Sequence, residues 1–265
     1  MSAREILIYL SVKHNGDWTK IYNALTKKEA GTEQEIIEAN KNVKSKTLTI
    51  IDPDYPEYLK NVFKPPIVLF YYGDISLIKD YKKNVSFVGA RKNSEYGQKM
   101  TQQLVSVVSE EFNIVSGMAI GIDTVAHQTA IDCGNKTIAI LGSGIDFCWP
   151  PSNKNLYEHL KQRHLVISEY PGDVAPRQEC FPERNRLIAA LSRSCVITEA
   201  YEKSGTSITA NYALAYGRDV FCVPFLANKN SLCNRLISQG AALVETGEQV
   251  LDELGISRVR EEFPD

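Results

Sequence analysis

Residues 85–117 read VSFVGARKNSEYGQKMTQQLVSVVSEEFNIVSG. Two short β-branched runs, VSFVG (85–89) and NIVSG (113–117), flank an amphipathic stretch at 95–112, and each run ends on a glycine. Strand, loop, helix and strand in that order make one βαβ unit, whose strands lie parallel. The same rhythm continues downstream. Strands are predicted at 137–142, 165–169, 195–200, 219–224 and 241–245, and helices at 122–134, 153–163, 184–192, 206–217 and 231–240. Strands that are apolar throughout and alternate with helices predict a doubly wound, mostly parallel α/β sheet covered on both faces.

Upstream the pattern changes. Three amphipathic stretches at 3–11, 17–28 and 32–41 predict a small helical module over residues 1–45. Residues 46–250 then form the α/β domain. Its Pro- and Tyr-rich start carries an added strand at 67–73, set off by Pro-Pro before it and Gly-Asp at its end. Residues 251–265 are read as a short C-terminal tail.

The 265 residues are 43% hydrophobic and 23% charged, with a formal net charge of −2. That excludes a global basic excess, so any polyanion site must be a local concentration of Arg and Lys. The six cysteines, at 133, 148, 180, 195, 222 and 233, form no CxxC pair, and several sit in apolar runs. They read as buried reduced thiols rather than a zinc site. No apolar run reaches the length of a membrane span, and the opening MSAREILIYLSVKHNGD carries charges where a signal peptide needs its apolar stretch. The expectation is a cytoplasmic protein with no membrane association, metal or cofactor.

In an open parallel sheet, ligands bind at the carboxyl ends of the strands. The loops there are GARKNS, SGMAIGID (116–123), GSGIDFCWPPSN (142–153), the segment 169–186 and EAYEKSGTSITA (199–210). Small residues let backbone N–H groups approach a ligand, and a following helix start adds about half a positive charge. In SGTSITA the Ser and Thr residues serve either as helix caps or as anion donors, and the other polar loops beside it favour a binding site. Arg91, Lys92, Lys154, Arg177, Arg184 and Arg186 all fall on this edge. Tyr170, Phe181 and Phe147 are interleaved with them. Each can stack a base, at roughly 1–3 kcal/mol, or pack into the core or rim.

Familiar enzyme signatures are missing. The chain has no GxxxxGK[ST], GSGIDF has Phe147 at the third glycine of a dinucleotide fingerprint, and no Ser-His-Asp or HExxH arrangement can be read. Asp123 and His127 share a helix face at i and i+4 and are read as a structural hydrogen bond rather than an acid/base device.

SGMAIGIDTVAH, FPERNR, SGTSITA, and GRDVFCVP followed by NRLISQGA closely resemble the DNA-processing protein A (DprA/Smf) family, in order and spacing over about residues 50–250. The resemblance implies an extended Rossmann-like domain and a non-enzymatic, homodimeric protein. It implies single-stranded DNA binding, protection of incoming strands, and loading of the RecA recombinase in natural transformation, that is, in competence and DNA recombination. Arg91 matches the basic position of the family's GSR loop, Lys154 the cation after YP-x-x-N, and Arg184 and Arg186 the arginines of FP-x-RNR. Lys92, Ser116, Gly117, Gly121, Asn185, Ser204, Gly205 and Thr206 complete the expected DNA-binding set. Arg184 is expected at the phosphate. Arg186 stays open between phosphate and bracing the loop through Glu183 or Glu199.

Three positions depart from the family pattern. Ile120 stands where SGLARGID carries a cation, so one pocket charge is missing. Cys233 replaces a glycine, and VPF replaces VPG, which alters the loop at 224–231. The family's common C-terminal winged-helix domain is not expected within 251–265. Leu232, Leu236 and Ile237 are a candidate dimer surface, the alternative being packing on the sheet. The rival functions are a Rossmann-like nucleotide-binding sensor, or a nucleoside-monophosphate hydrolase. The hydrolases carry PGGxGTxxE, and EKSGTSITA lacks that run and its glutamate.

Overall fold

The computed structural model describes residues 2–29, 31–227 and 229–256. Helices α1 (Ala3–Lys13), α2 (Trp18–Thr26) and α3 (Glu33–Asn42) open the chain where three helices were expected. Capping boxes start α1 and α3, Ser2 with Glu5 and Thr32 with Glu35, and Asp17 caps α2. Then come β1 (Lys46–Thr49), α4 (Glu57–Lys60), β2 (Val68–Gly73), β3 (Asn84–Val88), α5 (Glu95–Val108), β4 (Asn113–Ser116), α6 (Ile122–Asp132), β5 (Thr137–Ile140) and α7 (Lys154–Arg163). The chain continues through β6 (Leu165–Ser168), α8 (Cys180–Ala190), β7 (Ser194–Ile197), α9 (Thr206–Ala215), β8 (Asp219–Cys222), α10 (Leu232–Ser238), β9 (Ala242–Leu243) and α11 (Gly247–Glu253).

Among the described residues, nine strands form one sheet in the order β1-β2-β6-β5-β4-β3-β7-β8-β9. β2 runs antiparallel to β1 and β6, and every other neighbouring pair is parallel. The expected doubly wound α/β sheet is present. From β3 the chain winds outward through β4, β5 and β6, then crosses back to build β7, β8 and β9 on the other side. Strand order therefore reverses between β3 and β7, which opens a crevice at their carboxyl ends.

Side chains alternate between the two faces with period two. Val88, Val115, Ile138, Ile140, Leu165, Ile167, Cys195 and Ile197 pack on one face beneath α8, α9 and α10. Val85, Phe87, Ile114, Val196 and Phe221 face α5, α6 and α11 on the other. The N-terminal helices complete that second face. Leu10, Ile21 and Ile36 share a cluster with Phe70, Val166 and Leu160, and Arg4 bonds the Asp52 carboxylate at 3.1 Å and Thr47 O at 2.9 Å.

The structure departs from expectation in several places. β1 was not foreseen; it is a four-residue edge strand with only two buried residues, so it lacks a readable apolar run. Residues 247–253, partly within the expected tail, form α11, which opens on a Thr246–Gln249 capping box and buries Val250 and Leu251 against the α5 layer. Residues 257–265 of that tail lie outside the described residues. α8 begins at Cys180, four residues before the predicted start, with Pro182 in its first turn, where no intrahelical N–H bond is forfeited. Leu232 and Leu236 are buried in the sheet core, so sheet packing wins for both; Ile237 is half-buried beside them.

All six cysteines are free thiols; four are buried, Cys148 is half-buried and Cys133 is exposed. No described helix is long and apolar enough to cross a membrane.

Candidate nucleic-acid interface

The loops leaving β3 and β7 wall a groove of about 700 Å³, closed on a third side by the start of α8 and the segment 176–178 before it. Short hydrogen bonds set the walls. Ala90 N–H donates to Glu199 O at 2.7 Å, and Ile122 N–H to Ala90 O at 3.2 Å. The buried Glu199 carboxylate accepts from Ser94 N–H (2.9 Å), Ser94 Oγ (2.8 Å) and the Tyr201 hydroxyl (3.2 Å), tying the two loops together. Gly121 starts α6 at φ +83°, and a Cβ there would collide with Ala90 O, so both conformation and close approach require glycine.

Arg91, Lys92, Arg177 and Lys203 line the groove with exposed side chains. The Arg91 guanidinium lies 5.3 Å from the Phe181 ring centroid, a cation–π contact that orients it. Arg177 is 3.5 Å from Glu179.

Arg184 lies at the groove floor, 5% exposed. Its Nη1 donates to Gly117 O and Ile140 O, at the ends of β4 and β5, and its Nε to Asn185 Oδ1 at 3.1 Å. Its Nη2 makes no hydrogen bond among the described residues. Burial lowers the Arg184 pKa to about 10, against the pull of Asp123 and with a push from Arg91, so the guanidinium stays charged at neutral pH. Burial likewise raises the Asp123 carboxyl, against Arg184 and the Ala119 N–H. Each partner shifts away from its charged form because desolvation outweighs their attraction.

At α9, no side chain caps the helix start. Thr206 Oγ1 donates to Gly89 O (3.2 Å) and Ser207 Oγ to Ser204 O (2.8 Å), while the buried Ser204 Oγ has no partner. The capping reading of SGTSITA therefore fails: two hydroxyls bond carbonyls and none bonds the helix N–H groups. A Cβ on Gly205 would meet nothing within 4 Å, so the approach to this helix end is open. An uncapped start of this kind attracts anions.

A family model described as DNA recombination-mediator protein A matches residues 46–255, from β1 through α11. The chain belongs to the DNA recombination-mediator protein A family. It is 41% identical over 209 residues to the DNA processing protein DprA of Streptococcus pneumoniae, covering 78% of this chain and 73% of the relative. It is 37% identical over 230 residues to Protein Smf of Synechocystis, covering 83% of this chain and 57% of that protein. The X-ray structure of DNA processing protein A from Streptococcus pneumoniae superposes with a TM-score of 0.77 at 34% identity, covering 95% of this chain and 93% of that one. The Helicobacter pylori protein, whose structure is described for its single-stranded DNA binding mode, gives a TM-score of 0.72 at 29% identity, covering 80% and 96%.

Of the positions assigned by resemblance to the DNA recombination-mediator protein A family, Arg91, Lys92, Arg184, Asn185, Ser204, Gly205 and Thr206 line the groove. Ser116 and Gly117 lie beneath it. Ser116 Oγ donates to Phe87 O at 2.7 Å, and a Cβ on Gly117 would sit 2.5 Å from the Arg184 guanidinium. Gly121 shapes the wall without lining it, and Lys154 is exposed at the start of α7, outside the lining.

Arg186 is withdrawn from the groove altogether. It is 2% exposed and bidentate to Glu169, Nη1–Oε2 2.6 Å and Nη2–Oε1 2.7 Å, and it also donates to the carbonyls of Phe63, Lys64 and Glu183. It braces through Glu169, not through the Glu183 or Glu199 carboxylates. Asp123 and His127 do not bond each other: His127 Nδ1 is 2.6 Å from Thr137 Oγ1, and burial pushes the imidazole down to about 3.

Of the three aromatics singled out in the sequence, Phe181 lines the groove, Tyr170 is buried and Phe147 is half-buried outside the lining. Trp149 and Tyr201, 45% and 41% exposed, line it instead. They and Lys203 were missed, although all three sit in strand-end loops already marked for their glycines and hydroxyls. Among the described residues, no group of three His, Cys, Asp or Glu is placed to hold a metal ion.

Proposed function

We propose that the groove binds single-stranded DNA, and that the protein is a recombination mediator that protects incoming strands and loads RecA in the cytoplasm during natural transformation. The observation that carries this is the convergence of Arg91, Lys92, Arg177, Lys203 and the uncapped α9 start on one groove, in a chain of net charge −2. The single-strand binding mode described for the Helicobacter pylori relative supports the same reading. The cations and Arg184 neutralise phosphates, while Phe181, Trp149 and Tyr201 offer ring faces to unpaired bases, which a duplex keeps stacked.

Chemistry on the strand is not part of this reading. No histidine is among the groove's described lining residues, and its lining carboxylate, Asp123, is buried against Arg184.

Fluorescence anisotropy with labelled oligo-dT tests the proposal. Wild type binds oligo-dT more tightly than a duplex of the same length, and Arg91→Glu weakens oligo-dT binding at least about tenfold through lost attraction and added repulsion. Equal affinities for the two DNA forms, or for the two proteins, would remove the assignment.

A homodimer belongs to the same proposal, with its surface moved outward from the buried leucines. Leu214 on α9 and Leu243 on the edge strand β9 are 55% and 48% exposed, whereas Leu232 and Leu236 are buried. Sedimentation of Leu243→Asp as a monomer, against a wild-type dimer, is the expected outcome; unchanged association contradicts it.

A further inference from the structure

The loop between α4 and β2 is held unusually firmly for a surface segment. Arg186 donates to Phe63 O (3.1 Å) and Lys64 O (2.6 Å), Trp18 Nε1 to Pro65 O (2.8 Å) and the Tyr55 hydroxyl to Pro66 O (2.7 Å). Yet the Phe63 side chain on this fixed backbone is left in water, 57% exposed. Its ring lies 6.5 Å from Tyr212, 24° from parallel. Lys64 Nζ is 5.8 Å from the Phe63 ring centroid and 5.9 Å from that of Trp18, and Trp18 stacks on the 52%-exposed Tyr22 at 4.9 Å and 10°. Tyr22, Trp18, Lys64, Phe63 and Tyr212 thus form one band of rings with a cation inside it.

The band lies against α8 and α9, the two helices whose starts line the groove. Lys64 Nζ is 3.1 Å from the carboxylate of Glu183, which lies between the groove residues Pro182 and Arg184. Tyr212 follows the groove residue Ile208 by one turn of α9, on the same helix face. Rings interleaved with a cation, beside a cationic groove, are the chemistry of a sequence-tolerant single-strand platform.

We propose that the band is a second subsite for single-stranded nucleic acid, in which Phe63 and Tyr22 stack bases of the strand leaving the groove and Lys64 exchanges Glu183 for a phosphate. Arg186, closed to DNA, is its positioning residue, because it fixes the loop that presents Phe63 and Lys64. The inference rests on reading the groove as a single-strand site.

The test is anisotropy with an oligo-dT length series, on wild type, Phe63→Ala, Tyr22→Ala and Phe63→Trp, with circular dichroism as the folding control. Short oligomers that fill only the groove bind all four proteins alike. As length grows, wild type and Phe63→Trp gain affinity that the two alanine variants lack, reaching a gap of about five- to tenfold, the lower range for one lost stack. Alanine variants that match wild type at every length would overturn the subsite, leave the groove reading intact and assign the band to a protein partner. Failure of wild type to bind even short oligomers would overturn the groove reading itself, and the subsite with it.

Discussion

Arg184 and Arg186 stand two residues apart in one helix and do opposite work. Two positions on an α-helix differ by about 200°, so one arginine turns to the groove floor and the other to the far side. The consequence for Arg186 is a stability effect. Arg186→Ala leaves Glu169, 10% exposed at its side chain, without its guanidinium, and the loss should be about 3–5 kcal/mol in denaturant unfolding. A loss below 1 kcal/mol would show that the pair is dispensable. This division was legible only in part. Reading the helix from residue 184 placed both arginines at its mouth; a start at Cys180 puts them a full turn inside, on opposite faces.

His127 carries a second prediction at this scale. Its folded pKa of about 3 lies far below the 6.5 of a free imidazole, so between those values the unfolded chain binds the extra proton. Stability is full above pH 6.5 and falls as pH drops toward 3. Unfolding midpoints measured between pH 7 and pH 5, where ordinary carboxylates remain ionised, should fall for wild type. The fall should be smaller for His127→Asn, and identical slopes would contradict the assignment.

At the scale of elements, helix starts decide most of the site. α9 begins without a cap at the groove, and α6 begins at a glycine wedged under Ala90. A carboxylate placed before α9 separates helix stability from ligand binding, because it favours the helix dipole and repels phosphate. Gly205→Asp, at the open N-cap position, should therefore leave the melting temperature equal or higher while weakening oligo-dT binding; a parallel loss of both would mean the helix end does not face DNA. The strands and long helices were readable because apolar runs of four or more residues and 3.6-residue periodicity survive in a single sequence. α11 was also readable, through its T-x-x-Q capping box, but was passed over as tail. β1 offered no comparable signal, since its register comes from pairing with β2 rather than from its own pattern.

At the scale of the molecule, the reversal of strand order between β3 and β7 gathers loops from distant parts of the chain at one crevice. The sequence placed Arg91, Arg184 and the SGTSITA loop on the strand-end edge, but could not say which cations share a wall. Lys203 joins Arg91 there, while Lys154 stands apart at α7. That selection is set by tertiary geometry alone. It also settles how much charge the groove should count. The most direct measurement is the salt dependence of oligo-dT affinity. Four exposed groove cations and Arg184 predict a log–log slope of about −3.5 for wild type, shallower by about 1.4 in Arg91→Ala/Lys203→Ala. A slope that the double substitution leaves unchanged would contradict a phosphate-binding groove between β3 and β7.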